Sequence, residues 1–451
     1  MKKILKAVSL SLAFVILLSC TAFAGGNFTF TQDERDTVAA QWDAIQADET
    51  VITLSVGDKA GSVGFSWLSD FSDGAQKIMI SESSDMAGAK ELKVRSSLTL
   101  FAKKANKASA ENLEEGRTYW YSYTEKGEWS EPASFKIQSQ NEFTAIFVSD
   151  SQIGRSGDAK DLDVLINDTC GWQRTVRMAT ERYPDTAFII SSGDQTEQGF
   201  SLTQYKAFLS PEELRSYPLV NAIGNHDFYF PAYSYYSNNP NQKRELLASP
   251  AGVGYYFCYG DALFIVLNSN DMFAPDQSAL FKAAIKAYPD AKWRIAVLHH
   301  SAYSAYYEQD EFAFDRSVFA PLFDTYDIDL ALSGHDHMYS CTYPVYASEI
   351  NDEGTVYMQA SSSSGSNIHS AEMNHDVIRY AFGEPIPTYT ALEFKDGGLT
   401  INTHRTDSDE IIDTVTLTET EKTQKSFIDI FIEWFKSFIR TLTSMIGGKT
   451  K

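Results

Sequence analysis

The sequence predicts a layered α/β domain preceded by a small all-β sandwich. Three observations carry that prediction. Residues 143–335 contain continuous apolar runs, each ending at Asp, Asn or His. Helical stretches lie between several of these runs. Residues 50–138 instead show short alternating strands broken by turn residues. Continuous apolar strands are buried on both faces, and open α/β sheets place their ligands just past strand C-termini. The 451 residues accommodate two or three domains, and 13% aromatic content can fill their cores, which excludes wholesale disorder.

Taken in order, Lys2, Lys3 and Lys6 form a positive n-region and residues 8–18 are mostly apolar. Ala22-Phe23-Ala24 then puts small residues where signal peptidase reads them. Residues 1–24 are therefore expected to be a signal peptide, and the protein secreted or exposed on the extracellular surface. A competing reading makes Leu17-Leu18-Ser19-Cys20 a lipobox with Cys20 lipidated, although Leu18 fits poorly two positions before such a cysteine. Cys170, Cys258 and Cys341 remain after cleavage. Their odd number allows at most one internal bridge, so the core and not disulfides must hold the exported chain.

Residues 25–49 are an N-terminal segment with a helix expected over 33–47. Within 50–138, residues 51–55, 63–67, 119–123 and 133–137 read as strands, separated by turn signals such as Ser72-Asp73-Gly74 and Glu115-Gly116. Within 139–415, apolar strands are expected over 145–148, 187–190, 219–223, 263–267, 295–298 and 330–332, with a helix over 164–183. Residues 416–451 read as a linker and an amphipathic helix. At 3.6 residues per turn, Phe427, Phe431, Trp434 and Phe438 share a face that Ile428, Ile432, Phe435 and Ile439 widen. That wide face predicts membrane-surface contact through residues 426–446, against docking on its own domain or self-association. The net charge of −22 and the lack of a basic run exclude binding to a nucleic-acid backbone.

The histidines carry the sharpest signal. Of eight, His226, His299, His300, His335 and His337 sit at strand ends, and Asp150, Asp194 and Asn225 sit at others. Neutral imidazole with hard oxygen donors suits iron, manganese or zinc. Two cations explain the set better than one, because one carboxylate bridges cations about 3.5–4 Å apart in two-metal hydrolases. Asp194 is placed to bridge. Asp150 and His337 would complete one side, and Asn225, His300 and His335 the other. Gly193 and Gly224 allow sharp turns close to the ions.

The series Asp150, Gly193-Asp194, Gly224-Asn225-His226-Asp227, Val297-x-x-His300 and Gly334-His335-x-His337 resembles the calcineurin-like metallophosphoesterases, and within them the purple acid phosphatase branch. The likeness spans roughly residues 50–415. It implies a layered β-sandwich flanked by helices (αββα) over 139–415. It also implies a small all-β, immunoglobulin-like sandwich of fibronectin-type-III-like kind over 50–138. By matching position, Asp150, Asp194 and His337 would bind the first metal ion, and Asp194, Asn225, His300 and His335 the second. His226 would contact the phosphoryl oxygen or protonate the leaving group. Metal-bound hydroxide would attack the phosphorus.

Two departures stand out. Where the purple enzymes have tyrosine, three residues after the bridging aspartate, this chain has Glu197. Two residues after the first aspartate it has Gln152 in place of glycine or histidine. Either Gln152 or Glu197 then supplies the first ion's missing oxygen, and the protein is expected not to be purple. His299 reads as a bystander beside His300. Tyr303 is a candidate wall of the substrate pocket, and residues 361–366, with His369 and His375, a flexible rim. The expected activity is hydrolysis of phosphate esters of acid phosphatase type. A phosphodiesterase or nucleotidase, or a non-catalytic surface protein keeping the scaffold, are the alternatives.

Overall fold

The computed structural model describes residues 26–246, 248–306, 313–373, 375–395, 397–420 and 422, and part of the helix within 428–443. The expected signal peptide and Cys20 lie outside these residues, as does much of 426–446. Helix α1 (Gln32–Ala47) starts at a capping box. The Thr31 side chain accepts from the Glu34 amide, and the Glu34 carboxylate accepts from the Thr31 amide at 2.9 Å. That arrangement satisfies amides that a helix start leaves orphaned.

The site-bearing strands follow the apolar runs. They are β1 (Phe143–Val148), β2 (Thr186–Ser191), β3 (Leu219–Asn221), β4 (Ala262–Val266), β5 (Trp293–Val297) and β6 (Leu330–Ser333). Strands β1, β2 and β3 run parallel in one sheet, flanked by the antiparallel strands Thr388–Lys395, Gly398–Arg405 and Ile411–Thr418. Strands β4, β5 and β6 run parallel in a second, seven-stranded sheet.

The two sheets face each other across a core that includes Phe143, Phe188, Phe264 and Phe394. The Phe143 and Phe394 rings stack at 4.4 Å, and Phe188 meets Phe264 edge-on at 5.2 Å. Each such ring contributes about 1.5–3 kcal/mol by leaving water. Helix α2 (Leu162–Arg182) covers the outside of the first sheet through Leu165, Trp172 and Val176. Helices α3 (Ala274–Ala287) and α4 (Ala313–Tyr326) cover the second through Leu280, Phe281, Phe319 and Phe323. The layers are therefore helix, sheet, sheet, helix.

Residues 50–138 do form two packed β layers, but one of them is not separate. Thr53–Val56 pairs with β3, Ser55 opposite Leu219, and Val63–Ser69, Lys104–Ala110 and Arg95–Leu98 continue outward. The result is one ten-stranded sheet running through both parts of the chain. The seam is tied further by Tyr121 Oη donating to the Arg215 carbonyl at 2.9 Å. Lys206 Nζ also reaches the Glu49 carboxylate at 2.6 Å. Cys170, Cys258 and Cys341 are buried and free. Among the described residues no helix is long and apolar enough to cross a membrane.

Candidate metal centre

The parallel strands of both sheets end on one side, and the residues that follow them converge there. Strand ends alone would send side chains outward along the chain. What turns them inward is an unusual backbone. Asp150 (φ 48°), Gln152 (31°), Asp194 (50°), His335 (80°) and His337 (54°) all occupy the left-handed region. For a residue with a Cβ this costs roughly 1 kcal/mol or more, and such strain gathers at functional sites.

Close glycines make room. A Cβ on Gly224 would lie 2.0 Å from Asp194 Oδ1, and one on Gly334 2.0 Å from Ser149 Oγ and 2.3 Å from Asp150 Oδ2. Asp227, quoted in the Gly-Asn-His-Asp motif without a role, locks this turn. Its Oδ2 accepts from the amides of Asp194 (2.9 Å) and Gly224 (3.0 Å).

On one side, Asp194 Oδ2 lies 3.3 Å from His299 Nε2, and His299 Nε2 lies 3.0 Å from Asn225 Oδ1. His335 Nδ1 lies 3.1 Å from the same Asn225 oxygen and 3.3 Å from His299 Nε2. Asp194, His299 and His335 offer ligand atoms within 4.8 Å of one another. The resemblance gives His300 as the donor here, and the structure sets the His299 and His300 rings side by side, each against the His335 ring. Ser269 Oγ pins the turn by accepting from both backbone amides, at 3.2 and 3.1 Å, and it also holds His300 Nδ1 at 2.9 Å. The His300 ring lies 4.7 Å from the His335 ring, and burial holds its pKa down to about 3, so it is a neutral ring as well.

On the other side, His337 Nε2 lies 3.6 Å from Asp150 Oδ1, while its Nδ1 donates to the Ser366 carbonyl at 2.9 Å. Gln152 Nε2 donates to Glu197 Oε2 at 2.9 Å, which fixes the amide, since a carboxylate only accepts. That leaves Gln152 Oε1 buried without a hydrogen-bond partner, like Asp150 Oδ1. Two orphaned buried oxygens beside a cluster of imidazoles and a buried aspartate are what a bound cation satisfies. The residues present therefore fit metal binding.

The charges agree. Burial would raise the Asp194 pKa, but the His299 and His226 rings reverse this and hold it well below the usual carboxylate range. Burial pushes Asp150 up to about 6. Burial also drives His335 and His337 well down, so both rings are neutral donors at pH 7. His299 is the exception. Burial lowers its pKa, but Asp194 outweighs this and raises it to about 9.

His226 sits at the mouth, its side chain a quarter exposed. Its amide donates to Asp194 Oδ1 at 2.9 Å and its Nδ1 donates to the Glu197 carbonyl at 2.8 Å. The Glu197 carboxylate lies 3.4 Å from the same nitrogen. Tyr303 does not join the site. It is buried in the outer core of the second sheet, packed on Tyr357 and His375 under the Arg316 guanidinium. Tyr306 reaches the site region instead, stacking on His369 at 4.0 Å, and His369 stacks on His337. Residues 361–366 are buried rather than a rim. Ser362 Oγ donates to the Asp150 carbonyl at 2.9 Å, and Ser366 holds His337.

Comparison with known proteins follows this geometry. The family described as calcineurin-like phosphoesterase matches residues 143–339. No curated protein matches the chain. Among solved structures, the purple acid phosphatase PPD1 from yellow lupin (Lupinus luteus) seeds is 15% identical. The match covers 84% of this chain and 75% of that one, with a TM-score of 0.64. A structure of PhoD is 12% identical, the match covering 88% of this chain and 99% of that one, with a TM-score of 0.56. At such identities the likeness is one of fold. The chain thus carries, over residues 143–339, a calcineurin-like phosphoesterase domain.

Proposed function

We propose that the protein is an exported, metal-dependent phosphoric ester hydrolase of acid phosphatase type with a binuclear centre. The observation that carries this reading is the buried Asp194, with donor sets on both sides of it. Gln152 and Asp150 present orphaned oxygens beside His337 on one side, and Asn225, His300 and His335 gather on the other with His299 beside them. Asp194, between the two sets, is the residue that both ions would share. Cations bound there would supply Lewis-acid stabilisation of charge on the phosphoryl group and lower the pKa of water.

The chain's own residues do the rest. The Glu197 carbonyl takes the His226 Nδ1 proton, so the ring presents Nε2. Burial lowers the His226 pKa, but Asp194 and Glu197 outweigh it and raise it, and Nε2 is the ring atom left to give a proton to the leaving-group oxygen. Gln152 and Glu197 stand where tyrosine-bound ferric iron would need other residues, so the loaded protein is not purple. The apolar C-terminal face makes contact with a membrane surface.

The test is metal analysis with hydrolysis of aryl phosphate monoesters and diesters, beside Asp194→Asn and His226→Ala. About two metal ions per chain, no strong visible band and a loss of turnover of 10² or more in both variants are expected. A chain that takes up no manganese, iron or zinc and turns over neither ester would refute the reading.

A further inference from the structure

We infer that Arg155 reads the unesterified oxygens of the bound phosphoryl group and so selects phosphate monoesters over diesters. The inference rests on the proposed hydrolase reading and deepens it. The chain carries −22 overall, so an anionic substrate needs a local positive charge at the mouth besides the ions themselves. Arg155 supplies one. Its Nη1 lies 3.5 Å from Glu197 Oε1, and Glu197 in turn contacts Gln152 on the metal side and His226 at the mouth. Through Glu197 the guanidinium is one contact away from the His226 ring at the mouth.

Two features separate this arginine from an incidental surface charge. First, its partner does not saturate it. At 3.5 Å the Glu197 contact is an ion pair but a poor hydrogen bond, and Arg155 is 39% exposed. Among the described residues Glu197 is the guanidinium's one hydrogen-bond partner, which leaves donors of the fork to match a phosphoryl group. Second, its loop is mounted from below. The buried Asp168 carboxylate on α2 accepts from the amides of Gly154 (2.8 Å) and Ser156 (3.2 Å), on either side of Arg155. Asn27 Nδ2 donates to the Ser156 carbonyl at 2.8 Å. Ile153 bridges Thr196. Such a mount keeps a long side chain's origin fixed, which lowers the entropy cost of binding.

The discrimination follows from charge. A monoester carries one more anionic oxygen than a diester at neutral pH. Once the ions and His226 have engaged the phosphoryl group, that extra oxygen is what a guanidinium at the mouth has left to pair.

The experiment compares metal-loaded full-length exported chain with its Arg155→Ala and Arg155→Lys variants. It measures kcat/KM for an aryl monoester and the matching diester, and calorimetric affinity for inorganic phosphate. In Arg155→Ala the monoester-to-diester ratio is expected to fall about tenfold or more and phosphate affinity to weaken similarly, consistent with the strength of charge-assisted pairs. Arg155→Lys should recover only part, because it keeps the charge and loses the fork. Equal losses on both esters, or unchanged phosphate affinity, would overturn the inference while leaving the hydrolase reading intact. A wild-type chain that binds metal but hydrolyses neither ester would overturn both.

Discussion

The centre is built from residues that few positions in a protein would tolerate. Asp150, Gln152, Asp194, His335 and His337 all adopt a left-handed backbone with a side chain present. They hold it because neighbours leave no alternative. Asp150 Oδ2 accepts from the His335 amide at 2.9 Å, and Asp194 is fixed through Asp227. Gly334 is where this tightness is most exposed to test. Its missing Cβ is the gap through which Ser149 Oγ and Asp150 Oδ2 approach. Gly334→Ala should therefore push Asp150 out of place. We expect a folded protein destabilised by about 1–3 kcal/mol, the usual cost of overpacking. It should also lose most of its metal uptake, as read by thermal melting beside metal analysis.

At this scale the sequence was partly legible. The types and strand-end positions of the donors could be read, because a buried parallel strand leaves only its C-terminal residues to face a ligand. The separate surroundings of His299 and His300 could not, because the Ser269 side chain that fixes their turn lies 30 residues away. Tyr303 was misplaced for a similar reason. Its neighbours Tyr357 and His375 come from distant parts of the chain.

Among elements, the segment before α1 has a role that its composition does not announce. Gly26 and Ile368 exchange backbone hydrogen bonds at 2.8 and 2.7 Å, and Phe28 donates to the Gly365 carbonyl at 2.8 Å. Asn27 Oδ1 accepts from the Asn367 amide at 2.7 Å while its Nδ2 holds Ser156. One side chain thus joins the loop that bears Arg155 to the loop whose Ser366 carbonyl orients His337. Asn27→Ala should leave the core intact, at a cost of about 1 kcal/mol for the lost bonds. The looser His337 should weaken the cation site on the Asp150 side and spare the Asn225 side. A manganese titration showing one weakened binding step out of two would bear this out, and two unchanged steps would refute it. The apolar strands and α1 were legible because period and capping are local. The clasp was not, because it pairs residues more than 120 positions apart. The same holds for the continuous ten-stranded sheet, which depends on the single register Ser55 to Leu219.

At the scale of the whole molecule, two features of opposite kind remain to be reconciled. The body is strongly acidic, whereas the C-terminal segment is not. Residues 426–451 contain Lys436, Arg440, Lys449 and Lys451 against Asp429 and Glu433. The described residues within 428–443 are helical, and Ile428, Phe431, Ile432, Phe435 and Ile439 are exposed there. Lys422 Nζ meets the Asp329 carboxylate, so the polar stretch before the helix is fastened to the end of the second sheet. An amphipathic helix binds an interface mainly by its buried apolar area, with a smaller electrostatic contribution from its few basic residues. The acidic body opposes close approach to anionic lipid over a screening length of about 10 Å at 0.1 M salt. The expected result is binding of the full-length protein to neutral vesicles with little dependence on salt. Binding to anionic vesicles should be weaker and should improve as salt is added. A chain ending at Lys425 keeps the Lys422–Asp329 pair and all the residues of the centre. It should lose vesicle binding in co-sedimentation while retaining hydrolysis within about twofold, since every residue assigned to the centre lies between Asp150 and His337. Retained vesicle binding would place the membrane contact elsewhere on the body. Lost hydrolysis would make the tail part of the catalytic fold rather than an appended surface.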